Sequence, residues 1–322
     1  RAMRYVLTFL RLCLLRAVAC KRIVVVGGTH GNEYTGVYLV KALLATQALD
    51  NVEPFLANTR AIALNRRFCD EDLNRCFSRA QLDTPRDTVE AARAAEIDAA
   101  LGPKGSPAAA DLVVDLHTTT ANMGTTIIVD AWCPFALRCA AYVQARLAGV
   151  RILFNDIRDK AASPYLASVG ADALQIEVGP TPQGLVRADV VAATRAALEA
   201  VVEFANLDGD DVALPETVTA FSTAGSHAKL AWPVDADGFP TAVVHEALQD
   251  RDWAPLAAGD GLFRTFDGAE VPYDGSLGDP VYPIFINEAG YYYASSGRGI
   301  GLAKKLTLRV PRRGAAACEA AD

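Results

Sequence analysis

Histidine is scarce in this chain of 322 residues, which contains 4 of them, and several common sequence signatures are missing. No run of about 20 apolar residues is free of charged groups, so no segment is expected to span a bilayer. Neither Gly-x-Gly-x-x-Gly nor Gly-Lys-Ser/Thr occurs, which disfavours a phosphate-binding loop. Cys-x-x-Cys does not occur either, and the 7 cysteines are an odd, scattered set. A disulfide framework is therefore not expected, and a reducing compartment is favoured, with cytoplasmic localisation as the default.

The charge balance is acidic, with 38 Asp and Glu against 31 Lys and Arg and a net charge of −7. This balance gives no electrostatic reason to bind nucleic acid or an anionic membrane, so a small molecule is the expected partner. Hydrophobic residues make up 51% and charged residues 21%, which is typical of a globular protein and excludes disordered, collagen and coiled-coil chains. Assembly into a homo-oligomer stays open.

The pattern along the chain divides it into four segments. Residues 1–21 are apolar but interrupted by arginines, and we expect this leader to lie outside the fold. Between 22 and 207, short β-branched runs alternate with helical patterns, which predicts an α/β domain with a mixed, mostly parallel sheet flanked by helices. Short strand-like runs separated by Pro, Gly and Asp predict a smaller β-rich domain at 208–310. Residues 311–322 are expected to form a tail.

The same patterns predict the individual elements. Helices are expected at 36–49, 88–101, 135–147 and 188–204, and strands at 23–26, 54–63, 112–117, 125–130, 174–178, 239–244, 261–266 and 281–286. A polar, arginine-rich loop at 65–79 separates the second strand from the next helix.

An imidazole and a carboxylate lie close together in the turn Gly27-Gly28-Thr29-His30-Gly31-Asn32-Glu33, which follows the first strand. Ligands bind at the carboxyl ends of strands in such sheets, and His117 ends a second buried strand. Asp115, two residues earlier on the same face, could orient this histidine. Two histidines and one glutamate with an open position for water are typical of a hydrolytic zinc site. The alternative is that each histidine is an ordinary hydrogen-bonded loop residue.

Glu177 and the arginine-rich loop could supply the remaining groups of a hydrolytic site. An acid at the end of an apolar strand is costly to bury unless something pairs with it or uses it, so Glu177 is either a catalytic base or a salt-bridged core residue. One arginine of Arg66-Arg67 could polarise a carbonyl, and Asn74 with Arg75 could grip a carboxylate, although by themselves they fit a solvated loop better. Together these groups would cleave an amide next to an α-carboxylate.

Five motifs give the sequence a resemblance to a known family. They are GGTHGNEYTG, DEDLNRCF, DLHTTTANMG, IEVGPTPQG and VYPIFINEAGYY, in this order between about 22 and 308. In these motifs the chain resembles the aspartoacylase family, zinc amidohydrolases related to metallocarboxypeptidases. The resemblance implies a zinc carboxypeptidase-like α/β domain, a smaller β-rich C-terminal domain that covers the active site, and deacylation of an N-acyl-L-amino acid.

The resemblance also implies roles for individual residues in catalysis. One zinc ion per chain would be bound by His30, Glu33 and His117. Glu177 would act as general base and proton shuttle, and Arg67 would polarise the carbonyl.

Four further residues are implied as substrate contacts. Asn74 and Arg75 would hold the substrate carboxylate, Tyr165 would line the substrate pocket, and Tyr291 would reach in from the second domain. These positions complete the site that the resemblance implies.

Two departures from the family concern the substrate side chain. The aspartoacylase branch has a further Arg before the strand of the catalytic Glu, where Ala167 stands here, and its basic pair after the NEAAYY motif is replaced by Tyr293-Ala294. A second substrate carboxylate would then be buried unpaired, at a cost on the order of several kcal/mol. The sequence therefore favours N-acetyl aromatic or apolar amino acids or mercapturates. N-acetyl-L-aspartate as substrate, and a non-catalytic zinc- or ligand-binding protein, are the alternatives.

Overall fold

The computed structural model describes residues 21–49, 51–207, 212–223, 229–293, 299–315 and 318. Residues 1–20 of the predicted leader, residues 208–211, Ala294 and most of the end of the predicted tail lie outside the described residues. Within the tail, Cys318 is buried, and its backbone N–H donates to the carbonyl of Ala131.

Strands and helices alternate through the first two thirds of the chain. The strands are β1 (Ile23–Gly27), β2 (Val52–Leu56), β3 (Leu112–Thr118), β4 (Gly124–Asp130), β5 (Arg151–Asn155), β6 (Asp172–Gly179), β7 (Thr217–Ser222), β8 (Lys229–Leu230), β9 (Ala242–Val244), β10 (Gly261–Thr265), β11 (Glu270–Pro272), β12 (Tyr282–Ile284) and β13 (Ile300–Arg309). The α-helices are α1 (Tyr34–Thr46), α2 (Thr59–Leu64), α3 (Arg79–Leu82), α4 (Val89–Leu101), α5 (Pro134–Arg146) and α6 (Ala188–Leu207). Short 3₁₀ helices span Leu73–Arg75, Lys160–Ala162, Leu166–Val169 and Ala289–Tyr292.

One large mixed sheet carries the fold. Its strand order is β12-β13-β7-β5-β4-β6-β3-β1-β2, with β8 paired to β13. Strands β2, β1, β3 and β6 are parallel to one another, whereas β4 is antiparallel to β6. The carboxyl ends of β1, β3 and β6 therefore meet at one edge, and His117 stands directly beside Glu177 in the register. The predicted α/β class with a mixed, mostly parallel sheet is confirmed.

The sheet separates two layers, because successive side chains of a strand point to opposite faces. On one face, Val114 and Leu116 of β3 pack with α1, α5 and α6. On the other face, Val113 packs with α4 and two of the 3₁₀ helices. Asp115 and His117 alternate with Val114 and Leu116, so they face this second layer. The candidate site forms there, between the sheet and the arginine-rich loop.

The β-rich part of the chain has its own sheet and core. Strands β9, β10 and β11 form an antiparallel sheet of three strands over a core that includes Trp232 and Tyr273. Several side chains join it to the main domain. For example, Asp252 accepts the backbone N–H groups of Asn122 and Ile286, and the Trp253 indole N–H donates to the Met123 carbonyl. The expected smaller β-rich part at the C-terminal end is confirmed.

Several local predictions differ from the structure. The strand expected at 54–63 ends at Leu56, because the Asn58 side chain accepts the backbone N–H of Ala61 and begins α2. Five strands are not in the predicted set, namely β5, β7, β8, β11 and β13, and β7 pairs with β5 in parallel. The main sheet thus continues past residue 208, and the division of the chain at that residue stays a prediction. Among the described residues, no helix is long and apolar enough to cross a bilayer.

Candidate active site

The turn after β1 brings His30 and Glu33 together. Gly28 has a φ of 74°, a left-handed value that favours glycine, and a Cβ at Gly31 would lie 2.2 Å from the backbone carbon of Ala61. The Glu33 N–H donates to the His30 carbonyl, which closes the turn in front of α1. As a result, His30 Nδ1 lies 2.5 Å from Glu33 Oε1.

His117 completes a cluster of three buried metal-ligand groups. Its Nδ1 lies 3.0 Å from Glu33 Oε2, and one ligand atom from each of His30, Glu33 and His117 lies within 4.8 Å of the others. The second nitrogen of each histidine meets a carboxylate: His30 Nε2 lies 3.1 Å from Asp72 Oδ1, and His117 Nε2 lies 2.8 Å from Asp115 Oδ2. Such carboxylates fix the orientation of a metal-binding imidazole. The cluster could bind a metal ion, and two imidazole nitrogens with one carboxylate oxygen suit zinc.

Glu177 is a buried carboxylate beside this cluster. Within the described part of the chain, its buried Oε1 has no hydrogen-bond partner. Burial, followed by the negative charge of Glu33, raises the pKa of Glu177 well above its ordinary value. For Glu33, burial acts in the same upward direction but is outweighed by His30 and His117, which lower its pKa. Two neighbouring carboxylates in opposite environments are typical of a division between a proton-transferring group and a ligand.

Arg67 places a guanidinium next to the metal-ligand cluster. Its Nη1 lies 3.4 Å from Glu33 Oε1, and its Nη2 lies 3.2 Å from Asp72 Oδ2. Its backbone carbonyl accepts the N–H of Gly31 at 3.1 Å, so the loop and the turn after β1 are held together. A fixed cation at this distance can stabilise negative charge on a carbonyl oxygen.

Glu288 was not identified from the sequence, although it lies in the motif NEAGYY. It is buried, and its Oε2 accepts the Thr119 hydroxyl at 2.5 Å and the Thr120 N–H at 3.1 Å. Its Oε1 accepts the Gly290 N–H at 2.9 Å and lies 3.8 Å from Arg67 Nη1. Glu288 thus holds the loop that carries Tyr291 against the end of β3. A lone acid among apolar and aromatic residues was the available sequence signal.

Asn74, Arg75 and Tyr165 form a second polar group on the same side of the sheet. The guanidinium carbon of Arg75 lies 5.3 Å from the centre of the Tyr165 ring. Asn74 binds protein as well as lining the site: its Nδ2 donates to Gln175 Oε1 at 3.2 Å, and its Oδ1 accepts the Leu166 N–H at 2.8 Å. Gln175 was missed, although it lies two residues before Glu177 and so on the same face of β6.

The metal-ligand cluster, Glu177, Arg67, Glu288 and the second polar group line one cavity of about 350 Å³. The residues proposed from the sequence are all in its wall: His30, Glu33, Arg67, Asn74, Arg75, His117, Tyr165, Glu177 and Tyr291. The apolar part of the wall consists of Ile128, Leu153, Ile157, Ile284, Phe285 and Leu302. Among the described lining residues, the guanidinium groups of Arg67 and Arg75 are the only Lys or Arg side chains. The cavity can thus accept one carboxylate beside a largely apolar surface.

Ala167 is buried in the core between the sheet and α4 and is not among the described residues of the cavity wall. That it stands where the aspartoacylase branch has a substrate-binding arginine stays a prediction. Tyr165 is the residue of this segment that lines the cavity. Tyr293, from the other departure, packs its ring 5.2 Å from that of Phe68.

Two family models match the chain. The succinylglutamate desuccinylase/aspartoacylase catalytic domain matches residues 19–205, and the AstE/AspA barrel-sandwich hybrid domain matches residues 221–298. The first model covers more than half of the chain and contains every proposed metal ligand.

Characterised relatives are similar over nearly the whole length. The human N-acyl-aromatic-L-amino acid amidohydrolase (carboxylate-forming) is 38% identical over 90% of this chain and 92% of its own. The aspartoacylase of Danio rerio is 37% identical over 87% of this chain and 90% of its own. The crystal structure of murine aminoacylase 3 superposes with a TM-score of 0.82 at 34% identity, covering 91% of this chain and 97% of that one. The chain belongs to the succinylglutamate desuccinylase/aspartoacylase family.

Proposed function

We propose that this protein is a zinc-dependent amidohydrolase that converts an N-acyl-L-amino acid and water into a carboxylate and the free amino acid. The observation that carries the proposal is the shared cavity of three elements: a His-Glu-His cluster, the Glu177 carboxylate with its unpaired Oε1, and a guanidinium at Arg75. Cleavage of an amide beside a free carboxylate needs a metal site, a carboxylate that transfers protons and a cation that binds the free carboxylate. A protein that merely bound a ligand would have no use for the buried, unpaired Glu177, so this alternative is disfavoured.

The residues of the chain divide the reaction between them. A zinc ion held by His30, Glu33 and His117 supplies Lewis-acid chemistry, which polarises a carbonyl and makes water more acidic. Arg67 donates to the acyl oxygen and stabilises its developing charge. Glu177 accepts a proton from the attacking water while the water oxygen bonds to the acyl carbon. It then donates a proton to the amide nitrogen as the C–N bond breaks.

The α-carboxylate of the substrate is assigned to the polar side of the cavity. Arg75 presents a planar guanidinium that can bind a carboxylate through two hydrogen bonds. The ring of Tyr165 beneath it limits its orientation, and Asn74 supports the segment that carries Tyr165. Tyr291 lines the cavity from the loop fixed by Glu288 and is assigned to substrate contact.

The preferred substrates are N-acetyl aromatic or apolar amino acids, or mercapturates. The apolar wall, which includes Ile128 and Leu153, suits such side chains, and one of the relatives is named for N-acyl-aromatic amino acids. Hydrolysis of N-acetyl-L-aspartate is the second candidate, because another relative is an aspartoacylase. Three further statements remain predictions of the same kind. They are the cytoplasm as the compartment, a small molecule as the partner, and the C-terminal domain as the cover of the site.

A panel of substrates separates the two candidates. We expect kcat/KM to be about 10-fold to 100-fold higher for N-acetyl-L-tyrosine than for N-acetyl-L-aspartate, since a buried second carboxylate would lack a basic partner. N-acetyl-L-asparagine is the matched control, because it has the size of the aspartate substrate without its charge. It should be hydrolysed faster than N-acetyl-L-aspartate. A preference for N-acetyl-L-aspartate over both would contradict this assignment and favour the second candidate.

A further inference from the structure

Lys104 is a buried cation that no step of the proposed reaction uses. It follows α4 and is 6% exposed. Its Nζ donates to the carbonyls of Phe77 and Ser163 and to the hydroxyl of Ser168, in each case at 2.8 Å. A lysine ammonium has three N–H donors, and here each of them meets a neutral oxygen.

The acceptors of Lys104 belong to two chain segments that line the cavity. We call them the arginine segment, residues 72–78, which carries Arg75, and the tyrosine segment, residues 163–169, which carries Tyr165. Phe77 belongs to the first, and Ser163 and Ser168 belong to the second. Lys104 therefore bridges the two segments from the side that faces the core.

The two segments are also joined directly at the cavity. The Phe77 N–H donates to the Pro164 carbonyl at 3.1 Å, and the Leu166 N–H donates to Asn74 Oδ1 at 2.8 Å. The guanidinium of Arg75 lies over the Tyr165 ring, so a shift of either segment changes the direction in which the guanidinium points. The carboxylate-binding geometry thus depends on the relative position of the segments.

Burying this charge is unfavourable. Burial lowers the pKa of the Lys104 ammonium to about 8, and the positive charge of the nearby Lys160 acts in the same direction. The amine is still mostly charged at neutral pH, and the charged form supplies all three donors. An apolar side chain of the same length would avoid the desolvation cost but remove the donor that the three oxygens share.

We propose that Lys104 is a positioning residue for recognition of the substrate α-carboxylate, because it locks the arginine segment to the tyrosine segment. The proposal rests on the function proposed above. It extends that function, because the affinity for the carboxylate then depends on the Lys104 bridge as well as on Arg75 itself.

The test is replacement of Lys104 by methionine in the full chain loaded with zinc. We expect KM for N-acetyl-L-tyrosine to rise about tenfold, since displacement of a binding group by ~1 Å can cost up to ~100-fold. The kcat should change by less than about threefold, because the groups that act on the amide are unchanged. The zinc content should stay the same. An unchanged KM, or a loss of kcat at unchanged KM, would overturn the proposal.

Lys160→Met is the matched control. Lys160 also donates to backbone carbonyls, but to those of Gly170 and Ala171, which follow the tyrosine segment in the chain. In the described part of the chain, its side chain makes no hydrogen bond to the arginine segment, so the KM of Lys160→Met should stay within about twofold of the wild type. An equal rise in KM for both variants would mean that any loosening of this region has the same effect, and would overturn the specific role of Lys104.

Two further measurements keep the test decisive. If Lys104→Met does not fold, the milder variant Ser168→Ala takes its place in the test. It removes one acceptor of Lys104 and should raise KM in the same direction. Calorimetric binding of the product L-tyrosine needs no turnover, and we expect it to weaken about tenfold in Lys104→Met. A wild type that binds L-tyrosine but releases no amine would overturn the proposed function alone. Equal L-tyrosine affinity in wild type and variant would overturn the positioning role alone.

Discussion

Replacement of Glu177 by glutamine is expected to lower kcat by about 10³-fold or more while the zinc content stays at that of the wild type. The amide has the size of the carboxylate but cannot take a proton from water or return one to the leaving nitrogen. Glu177 is not one of the three clustered ligand groups, so metal binding should survive. Amine release at saturating N-acetyl-L-tyrosine, together with metal analysis of the same preparation, measures both quantities.

Glu53→Gln is the control for the loss of a carboxylate outside the cavity. Glu53 lies on β2 and pairs with Arg22 at 2.8 Å, partly exposed to solvent. Exposed pairs of this kind contribute little, and kcat should be unchanged. A Glu177→Gln variant with kcat within about tenfold of the wild type would contradict the assignment of Glu177 as the proton-transferring group.

Replacement of Arg75 by methionine should reduce kcat/KM for N-acetyl-L-tyrosine by about 10-fold to 100-fold. A charge-assisted hydrogen bond of this kind contributes about 1.5–3 kcal/mol, and the effect should fall mainly on KM. The matched substrate is N-acetyltyramine, which has the same ring and amide but no carboxylate. With this substrate, wild type and Arg75→Met should have similar kcat/KM values.

The neighbouring Arg66 provides the control variant. Its side chain is exposed and is not part of the described cavity wall, so Arg66→Met should behave like the wild type with both substrates. If Arg75→Met lost as much activity on N-acetyltyramine as on N-acetyl-L-tyrosine, Arg75 would have a general structural role and the carboxylate assignment would be wrong.

The sequence predicts the catalytic edge of the sheet well for a physical reason. A buried parallel strand is a short apolar run, and the polar residue at its carboxyl end must lie at the same edge as those of its parallel neighbours. His117 and Glu177 follow this rule, and the structure has them side by side in the register. The glycines around His30 then favour the tight turn that places Glu33 beside His30.

Other parts of the site depend on contacts between distant segments and could not be found in this way. Lys104 lies in an ordinary-looking loop, and only the fold reveals that Phe77 and Ser168 meet its amine. Glu288 is 171 residues from His117 in the sequence, and its role depends on how the C-terminal part docks through Asp252. The burial of Ala167 in the core likewise depends on tertiary packing.

The fold was predictable to a similar extent. The alternation of apolar runs gave the α/β class, since burial on both faces requires it. The strand expected at 54–63 was too long because the Asn58 cap begins a helix within it. The pairing of β7 with β5 joins residues more than 60 positions apart, and no local pattern specifies such a contact.

Amine release before and after metal exchange is the most direct test of zinc-dependent deacylation. The protein is stripped with a chelator, assayed with N-acetyl-L-tyrosine, and assayed again after addition of one equivalent of Zn²⁺ per chain or of Mg²⁺. We predict a rate below ~1% of the original in the stripped protein, recovery with Zn²⁺, and no recovery with Mg²⁺, which prefers oxygen ligands over imidazole. Full activity of the stripped protein, or no amine release by protein with one zinc ion per chain, would contradict the account.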